Sequence, residues 1–316
     1  MLKIAFAGMG SIGKQHFRNL CTLFQVQKRD YIVDLYRSGI GTALTPELSS
    51  KVRKTFLLAE GEPITEYYDV VFVTNPTSEH YETVRRFAGA SRAMFLEKPV
   101  FDHPDVDLEN LCLRTDGIYY VACPLRYHPV IQYIRSHVSC EQAYAVRAIC
   151  SSYLPDWRPG TDYRTCYSAK KNMGGGVDID LIHEWDYLNV LFGPVYTGFA
   201  ILDRVSELKI DSNDLAIYIA LTAHTAIELH LDYFGRKPVR QMQIFLPEDT
   251  VDCNLLTGDI SWYVSGKHIH LDCGKETYQM AELQHFFEIL DGKRPNDSKV
   301  TDALRILRYA RGEFGT

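Results

Sequence analysis

A chain of 316 residues is too long for one hydrophobic core and too short for three ordinary domains, so two domains are expected. The formal charge of -6 argues against a protein whose main partner is nucleic acid, and no run of about 18 apolar residues offers a membrane-spanning helix. Eight cysteines without a CxxC pair or a Cys/His ligand spacing indicate reduced thiols in a cytoplasmic protein, with no disulfide framework and no metal site.

The first part of the chain alternates short apolar runs with longer amphipathic ones, which is the pattern of βαβ units in a parallel sheet. Helices are predicted at residues 12–24 and 78–87. Residues 1–122 are therefore predicted to form an α/β domain with a doubly wound parallel sheet. Its predicted strands are residues 2–7, 31–36, 70–74 and 93–96.

The remaining residues, 123–316, contain strand-like segments that follow one another without helices between them. This arrangement indicates a mostly antiparallel, open sheet in an α+β domain. The predicted strands are residues 143–153, 215–222, 226–233, 241–246 and 261–264, and the predicted helices are residues 180–191, 276–290 and 301–309. We assign this domain to substrate binding and oligomerisation.

Residues 8–13 read G-M-G-S-I-G between the first predicted strand and the first predicted helix. In that context the glycines allow a tight turn, a close approach of the backbone to a pyrophosphate, and close packing of helix on strand. The free N–H groups at the start of the helix favour an anion. The motif therefore predicts a dinucleotide site, although an ordinary glycine turn is the alternative. The predicted contacts are Gly8, Gly10, Ser11, Ile12 and Gly13.

The second predicted strand ends in Arg37 and Ser38, whereas NAD-binding folds usually place an acidic residue there to hold the ribose. A guanidinium beside a hydroxyl suits a 2′-phosphate, so NADP is the preferred cofactor and NAD the alternative. Asp34 lies earlier in the strand, where it either binds the ribose or serves only as a polar residue of the strand.

Several further motifs follow in a fixed order, and together they resemble the Gfo/Idh/MocA family of oxidoreductases over essentially the whole chain. The resemblance implies an NAD(P)-dependent oxidoreductase, and it implies cofactor contacts from Thr74, Asn75, Pro76, His80, Glu97 and Lys98. It also implies a cis peptide before Pro99. The motifs are Thr74-Asn75-Pro76 with His80, Glu97-Lys98-Pro99, Arg126-Tyr127-His128-Pro129, Gly174-Gly175-Gly176, Asp180 with His183, and Glu282 with Phe286.

Lys98 follows the fourth predicted strand, at the edge where ligands of doubly wound sheets bind. Its ammonium group can hydrogen-bond the substrate hydroxyl whose carbon gives up the hydride. The family resemblance implies this same role at the reacting centre. A surface lysine before a loop proline is the alternative.

Asp180 and His183 are three residues apart in a predicted helix, so they share a face. There the imidazole would accept a hydroxyl proton while the carboxylate orients it. The commoner family spacing is four residues, so Asp178 or Glu184 stays open as the partner of His183. The alternative is that these acids only cap the helix and that the hydrogen bonds of His183 are made within the fold.

The loop at residues 153–164 is rich in aromatic residues and arginines, a composition suited to stacking on a sugar ring and binding a carboxylate or phosphate. A loop packed over the domain boundary is the alternative. The loop and the residues around His183 are similar to bacterial family members of surface-polysaccharide and sialic-acid-like sugar pathways, which implies an acidic, sialic-acid-like or nucleotide-linked sugar. The predicted substrate contacts are Arg126, Trp157, Arg158, Tyr163 and Arg164.

The leading hypothesis is hydride transfer between nicotinamide and a hydroxyl/carbonyl pair of a sugar or sugar acid. Two alternatives are an enzyme that uses NAD in bond cleavage without net redox, and a regulator that senses NAD(P) or sugar. The presence of both Lys98 and His183 favours an enzyme. A homodimer or homotetramer is expected, because the open face of the second sheet needs cover.

Overall fold

The computed structural model describes residues 1–39, 44–58 and 63–315. The chain forms two compact units. The first comprises Met1–Ala122 and Gln279–Leu304, and the second comprises Cys123–Tyr278 and the C-terminal segment from Arg305.

The described part of the first unit contains a sheet of six parallel strands in the order β3-β2-β1-β4-β5-β6, which is the Rossmann order. The predicted doubly wound parallel sheet is confirmed. The strands are β1 (Leu2–Ala7), β2 (Tyr31–Arg37), β3 (Val52–Leu57), β4 (Tyr68–Val73), β5 (Ser91–Leu96) and β6 (Ile118–Val121). The helices are α1 (Ser11–Gln27), α2 (Pro46–Ser49) and α3 (His80–Phe87).

Two of these strands were not predicted from the sequence. In β3 the three residues from Arg53 to Thr55 are polar and exposed, because this strand is the outermost of the sheet in the described residues, and the apolar run that marks a buried strand is missing. The four-residue β6 lies at the opposite edge.

The segment Gln279–Leu304 belongs to the first unit, although the sequence assigned everything beyond residue 122 to the second domain. It contains most of a long helix whose buried residues Phe286 and Phe287 pack in one core with Phe24 and Phe95. After the helix, the backbone of Ser298 accepts a hydrogen bond from the Val121 N–H at 2.9 Å and so covers the edge strand β6. Burial of these aromatic residues explains the difference.

The second unit contains, in its described residues, an eight-stranded sheet in the order β14-β13-β12-β11-β7-β10-β9-β8. Only β7 and β10 pair in parallel, so the predicted mostly antiparallel open sheet is confirmed. The strands are β7 (Ala145–Tyr153), β8 (Val195–Asp203), β9 (Leu215–Thr222), β10 (Ala226–Asp232), β11 (Phe234–Phe245), β12 (Thr250–Asn254), β13 (Asp259–Trp262) and β14 (His268–His270). The sequence did not predict β8, β12 or β14.

The helices after the first unit's sheet are α4 (Pro129–His137), α5 (Val177–Asp180), α6 (His183–Phe192), α7 (Lys275–Leu290) and α8 (Val300–Ala310). Within the second unit, residues of α4, α6 and the end of α8 pack in one core with the inward side chains of the sheet. None of the helices in the described ranges combines the length and apolar character that a membrane span requires.

The predicted single helix at residues 180–191 is wrong. The structure ends α5 at Asp180 and begins α6 at His183, with Leu181 outside helical geometry at φ -98° and ψ 24°. Asp180 and His183 are therefore not neighbours on one continuous helix face, and the argument from their spacing does not hold.

Candidate functional site

The carboxyl ends of the central strands of the first unit are joined by backbone hydrogen bonds that continue past the strands. The N–H of Gly8 donates to Tyr36, that of Thr74 to Ala7, and that of Glu97 to Val73, each at 2.9–3.0 Å. The glycine loop and the Thr74 and Glu97 segments therefore lie side by side along one edge, where doubly wound sheets bind their ligands.

Two glycines of the loop are required by close packing. Gly8 has φ +94°, and a Cβ there would lie 2.5 Å from the Asn75 nitrogen. A Cβ on Gly13 would lie 2.8 Å from the Thr74 Oγ1. That same hydroxyl donates to the Gly8 carbonyl at 3.0 Å. Any larger residue would push the loop away from the strand edge.

Gly10 is different, because among the described residues no atom lies within 4 Å of a Cβ built on it. It is also the N-cap of α1, and no described side chain caps this helix or adds an acidic group to its first turn. The N–H groups of the first turn and the positive end of the helix dipole therefore face open space beside a residue without a side chain. The residues present fit the pyrophosphate of a dinucleotide, with Ser11, Ile12 and Gly13 in that first turn.

The tip of β2 offers Arg37, which is half-buried, and Ser38, which is exposed. Asp34 is fully buried, and it accepts hydrogen bonds from the Arg53 Nε at 2.8 Å and the Tyr68 hydroxyl at 2.9 Å. Burial alone would raise the pKa of Asp34, but the hydrogen bonds from Arg53 and Tyr68 hold it below its usual range. Asp34 therefore serves as a buried anchor between strands and does not face a ribose.

Glu97 is bound from the side of α1. The Nε2 of His16, a buried residue of that helix, lies 2.5 Å from the Glu97 Oε1. Burial would raise the pKa of Glu97, but the hydrogen bond with His16 and the neighbouring charge of Lys98 bring it below its usual range. The carboxylate is thus ionised at neutral pH, with its position set by a helix that begins at the glycine loop.

His80 connects two loops rather than lining a ligand site. It is 1% exposed, and its Nε2 lies 3.0 Å from the Asn75 carbonyl while its Nδ1 lies 3.2 Å from the carbonyls of Pro99 and Val100. Burial lowers its pKa despite these carbonyls. The structure therefore differs from the predicted cofactor contact, since backbone groups surround the ring.

Lys98 lies two residues beyond the end of β5, half-buried, and the Lys98–Pro99 peptide is cis as the family resemblance implied. Its two neighbours in sequence are held by His16 and His80. Asn75 is half-buried and donates from Nδ2 to the Thr83 hydroxyl at 2.8 Å, and Pro76 is exposed at the same edge. These residues lie at the carboxyl edge of the sheet, where doubly wound folds bind their ligands, and their contact with a nucleotide stays a prediction.

In the second unit Asp180 is buried in a group of phenols. The Tyr233 hydroxyl donates to its Oδ2 at 2.5 Å, and the charge of Asp180 adds to burial in raising the pKa of Tyr167. His183 is half-buried at the first position of α6. The glycines before α5 allow this packing, because a Cβ on Gly175 would collide with the backbone carbonyl of Tyr167.

The two alternative acids next to His183 have partners of their own. Asp178 is fully buried and accepts hydrogen bonds from Arg311 at 2.8 Å and Asn213 at 3.2 Å; burial raises its pKa although Arg311 opposes the shift. Glu184 is fully buried and accepts from the Arg240 Nε at 2.7 Å. Both carboxylates therefore belong to buried ion pairs with arginines, which is a structural role.

Two of the predicted substrate contacts are arginines that already face a carboxylate. Arg126 is buried and forms a two-pronged ion pair with Asp186, at 2.6 and 2.7 Å. Arg164 is exposed and forms a similar fork with Asp162, at 2.7 and 2.8 Å. The prediction that Arg126 contacts the substrate is corrected, because its guanidinium is buried and both of its hydrogen-bonding edges are used by Asp186. Arg164 is paired with Asp162 in the same way, although its side chain is exposed to solvent.

The other predicted contacts lie together in the loop after β7. The Trp157 indole N–H donates to Ser152 at 2.9 Å, and the Tyr163 hydroxyl accepts from the Lys209 N–H at 3.2 Å. Both side chains are half-buried, whereas Arg158 is exposed. Hydrogen bonds of Trp157 and Tyr163 therefore hold this loop in place. Arg158 is the positively charged side chain of this group that is exposed to solvent.

Sequence reasoning missed His16, Tyr233 and Arg236. His16 lies on the predicted first helix, three residues after Gly13, and no motif marks it. Tyr233 is the last residue of a predicted strand and Arg236 follows it, and the pairing of Phe234 with Tyr153 brings them to the loop after β7. That pairing is a long-range contact which local pattern does not reveal.

Comparison with known proteins agrees with this geometry. Residues 2–112 match the family model GFO_IDH_MocA, described as an oxidoreductase family with the NAD-binding Rossmann fold. Inositol 2-dehydrogenase of Rhizobium meliloti (strain 1021) is 28% identical over 132 residues, which are 40% of this chain and 37% of the relative. The alignment therefore spans little more than a third of that relative's length.

Two solved structures share the fold. UDP-N-acetylglucosamine 3-dehydrogenase GnnA from Acidithiobacillus ferrooxidans is 18% identical, with 98% of this chain and 95% of that chain covered and a TM-score of 0.73. The WlbA dehydrogenase from Bordetella pertussis, in complex with NADH and UDP-GlcNAcA, is 17% identical, with 98% and 93% covered and a TM-score of 0.73. At these identities the likeness shows the fold alone.

The glycine loop, the Thr74 and Asn75 pair and the Glu97 and Lys98 pair all lie within the residues that the family model matches. Residues 2–112 are therefore similar to this oxidoreductase family with its NAD-binding Rossmann fold, in agreement with the resemblance found in the sequence.

Proposed function

We propose that the chain is an NAD(P)-dependent oxidoreductase that acts on a CH–OH group of a sugar or sugar acid. The observation that carries the proposal is the open space beside Gly10, over the uncapped start of α1 and on the same strand edge as Lys98. An anion site at a helix start, next to an ammonium group at the carboxyl edge, is the arrangement that dinucleotide chemistry needs. The named relatives, which are dehydrogenases of inositol and of UDP-N-acetylglucosamine, support the substrate class.

A bound nicotinamide would accept or supply the hydride. The first turn of α1 holds the pyrophosphate, and Asn75 and Glu97 line the edge next to it. Lys98 hydrogen-bonds the reacting hydroxyl and stabilises the charge that develops on its oxygen. In the second unit we assign proton transfer to His183; Asp180, which accepts a hydrogen bond from Tyr233, stays the predicted supporting acid because Asp178 and Glu184 are bound by arginines.

Replacement of Lys98 by Met tests the assignment at the reacting centre. Turnover should fall by about 100-fold or more, because a positioned acid–base group contributes a factor of this order. Affinity for NADH or NADPH should stay within a few fold. The measurements are absorbance of the reduced cofactor with inositol, N-acetylglucosamine, UDP-N-acetylglucosamine and UDP-GlcNAcA, and calorimetric titration of the cofactor.

Lys51→Met, a change at an exposed lysine of the same unit, is the control and should leave both quantities unchanged. Equal loss of cofactor binding and turnover in Lys98→Met would show a structural role instead. A cofactor retained through purification, with no net absorbance change, would favour the non-redox alternative. Binding of cofactor and sugar without any turnover would favour a regulator.

We further propose NADP as the preferred cofactor. The support is Arg37 at the tip of β2 beside Ser38, together with the burial of Asp34 under Arg53 and Tyr68, which removes the nearest acidic residue of the strand from the ribose. A 2′-phosphate would receive charge-assisted hydrogen bonds from the guanidinium.

Arg37→Asp should move the ratio of NADPH to NADH affinity towards NADH by about 10-fold or more, since a hydrogen bond between charged groups is worth about 1.5–3 kcal/mol. Dissociation constants from calorimetry give this ratio. Arg18→Asp changes the net charge equally from an exposed position on α1 and should leave the ratio unaltered. An unchanged ratio in Arg37→Asp contradicts the NADP assignment.

We infer a homo-oligomer that forms through the outer face of β8 and β9. Phe199 and Ile219 are direct partners in the register and are 64% and 58% exposed, and Ile201 pairs with Ile217 next to them. Contiguous outward apolar residues on a sheet face mark an interface.

A cytoplasmic location stays a prediction from the cysteine pattern.

Ile219→Lys should convert a sedimenting dimer or tetramer into monomers, because a charge would be buried at the centre of the patch. Analytical ultracentrifugation at micromolar concentration is the measurement. Val26→Lys, at an exposed apolar position of α1, is the control and should keep the wild-type mass. A wild-type protein that sediments as a monomer refutes the interface.

A further inference from the structure

Two arginines of the second unit lie over tyrosine rings and keep their guanidinium edges exposed. The Arg236 Cζ is 3.8 Å from the centroid of the Tyr153 ring, and the Arg158 Cζ is 5.5 Å from that of the Tyr167 ring. Both arginines are exposed. Stacking on an aromatic face fixes a guanidinium while its N–H groups, which lie in the plane, stay available to a ligand.

These two arginines differ from their neighbours in charge pairing. Arg126, Arg164 and Arg240 each form an ion pair with a carboxylate of the same unit. No carboxylate in the described ranges lies within ion-pair distance of Arg158 or Arg236. Arg158 instead lies in electrostatic reach of Cys166, Tyr167 and Asp180, which raise its pKa against the effect of burial. The positive charges of both arginines are therefore not neutralised locally.

Contacts connect both arginines to the Asp180 group. Tyr153, under Arg236, pairs with Phe234, the residue after Tyr233. Trp157, next to Arg158, packs edge-on against the Tyr233 ring with centroids 5.2 Å apart. Tyr233 in turn donates to Asp180. Arg158 and Arg236 thus both lie beside residues that contact Tyr233 or its chain neighbour Phe234, and Tyr233 binds the acid that we assign to the reaction.

The surrounding sequence is locally basic, although the whole chain has a formal charge of -6. Residues 153–173 contain four basic and two acidic residues, and Lys237 follows Arg236 directly. A positive region on an acidic protein raises the local concentration of anionic ligands and disfavours neutral ones in comparison.

We propose that Arg158 and Arg236 form an oxyanion-binding site that takes the carboxylate or phosphate of the substrate, so that the substrate class is an anionic sugar. The proposal rests on the proposed oxidoreductase function and narrows it. Arg236 becomes a specificity-determining residue, with its guanidinium held by Tyr153 for a two-pronged contact with an oxyanion.

The test measures equilibrium binding without turnover. Calorimetric titrations at one fixed ionic strength compare N-acetylglucosamine, which is neutral, with glucuronate, which carries a carboxylate, and UDP-N-acetylglucosamine, which carries a diphosphate. At least one anionic ligand should bind about 10-fold or more tightly than the neutral sugar. Arg236→Gln and Arg158→Gln should each remove about 10-fold of that affinity and leave the neutral sugar unchanged, since each removes a charged hydrogen bond.

Arg236→Lys should recover part of the loss, because lysine keeps the charge but not the planar fork. Arg135→Gln, at an exposed position of α4, is the matched control and should bind all three ligands like wild type. An effect confined to glucuronate identifies a carboxylate, and one confined to the nucleotide sugar identifies a phosphate. Circular dichroism confirms that each variant is folded.

Three results overturn the proposal: neither anion binds more tightly than the neutral sugar, the glutamine variants bind the anions like wild type, or none of the three ligands binds to folded protein. Titration of NADH and NADPH into the same samples separates this outcome from failure of the proposed function. A protein that binds no cofactor but shows arginine-dependent anion binding contradicts the oxidoreductase function and leaves the anion site in place.

Discussion

The candidate cofactor site depends on how closely the backbone of the glycine loop approaches the segment after β4. A side chain on Gly8 or Gly13 would occupy the space of Asn75 and Thr74, and the Thr74 hydroxyl closes the contact by donating to Gly8. This packing fixes where α1 begins, and therefore where its unpaired N–H groups and its dipole point. The hydrogen bonds between strand ends then bring the segment of Glu97 into line with the loop.

The backbone segment that carries Lys98 is held on both sides by buried histidines. His16 reaches Glu97 from α1, and His80 reaches the carbonyls of Pro99 and Val100 from the start of α3. The helix that receives the pyrophosphate and the helix after the Asn75 loop therefore both support the segment of Lys98. In the second unit, arginines pair with the buried acids Asp178, Glu184 and Asp186, whereas Asp180 is bound by Tyr233. Two further arginines, Arg158 and Arg236, lie over tyrosine rings and stay exposed.

Much of this was predictable because the signals are local. The glycine loop between β1 and α1, the family motifs and the alternation of strands fixed the fold class and the place of Lys98. The failures have physical causes. The break at Leu181, the burial of Arg126 against Asp186, and the packing of Phe286 in the first unit are decided by contacts between residues far apart in sequence. A motif identifies a residue type but not the partner that its side chain finds in the fold.

The proposed function requires that a dinucleotide pyrophosphate lies against the start of α1 beside Gly10. Its backbone, at φ -71° and ψ -163°, accepts any residue, and a Cβ there meets no described atom. The Gly10→Val variant should therefore have the same urea midpoint of unfolding as wild type. Its valine side chain should fill the space that the pyrophosphate needs. Calorimetric titration with NADPH and NADH is the decisive measurement. We expect tight binding to wild type and a loss of affinity of about 100-fold or more in Gly10→Val, whereas affinities within a few fold of each other in the two proteins would rule out a pyrophosphate at this position.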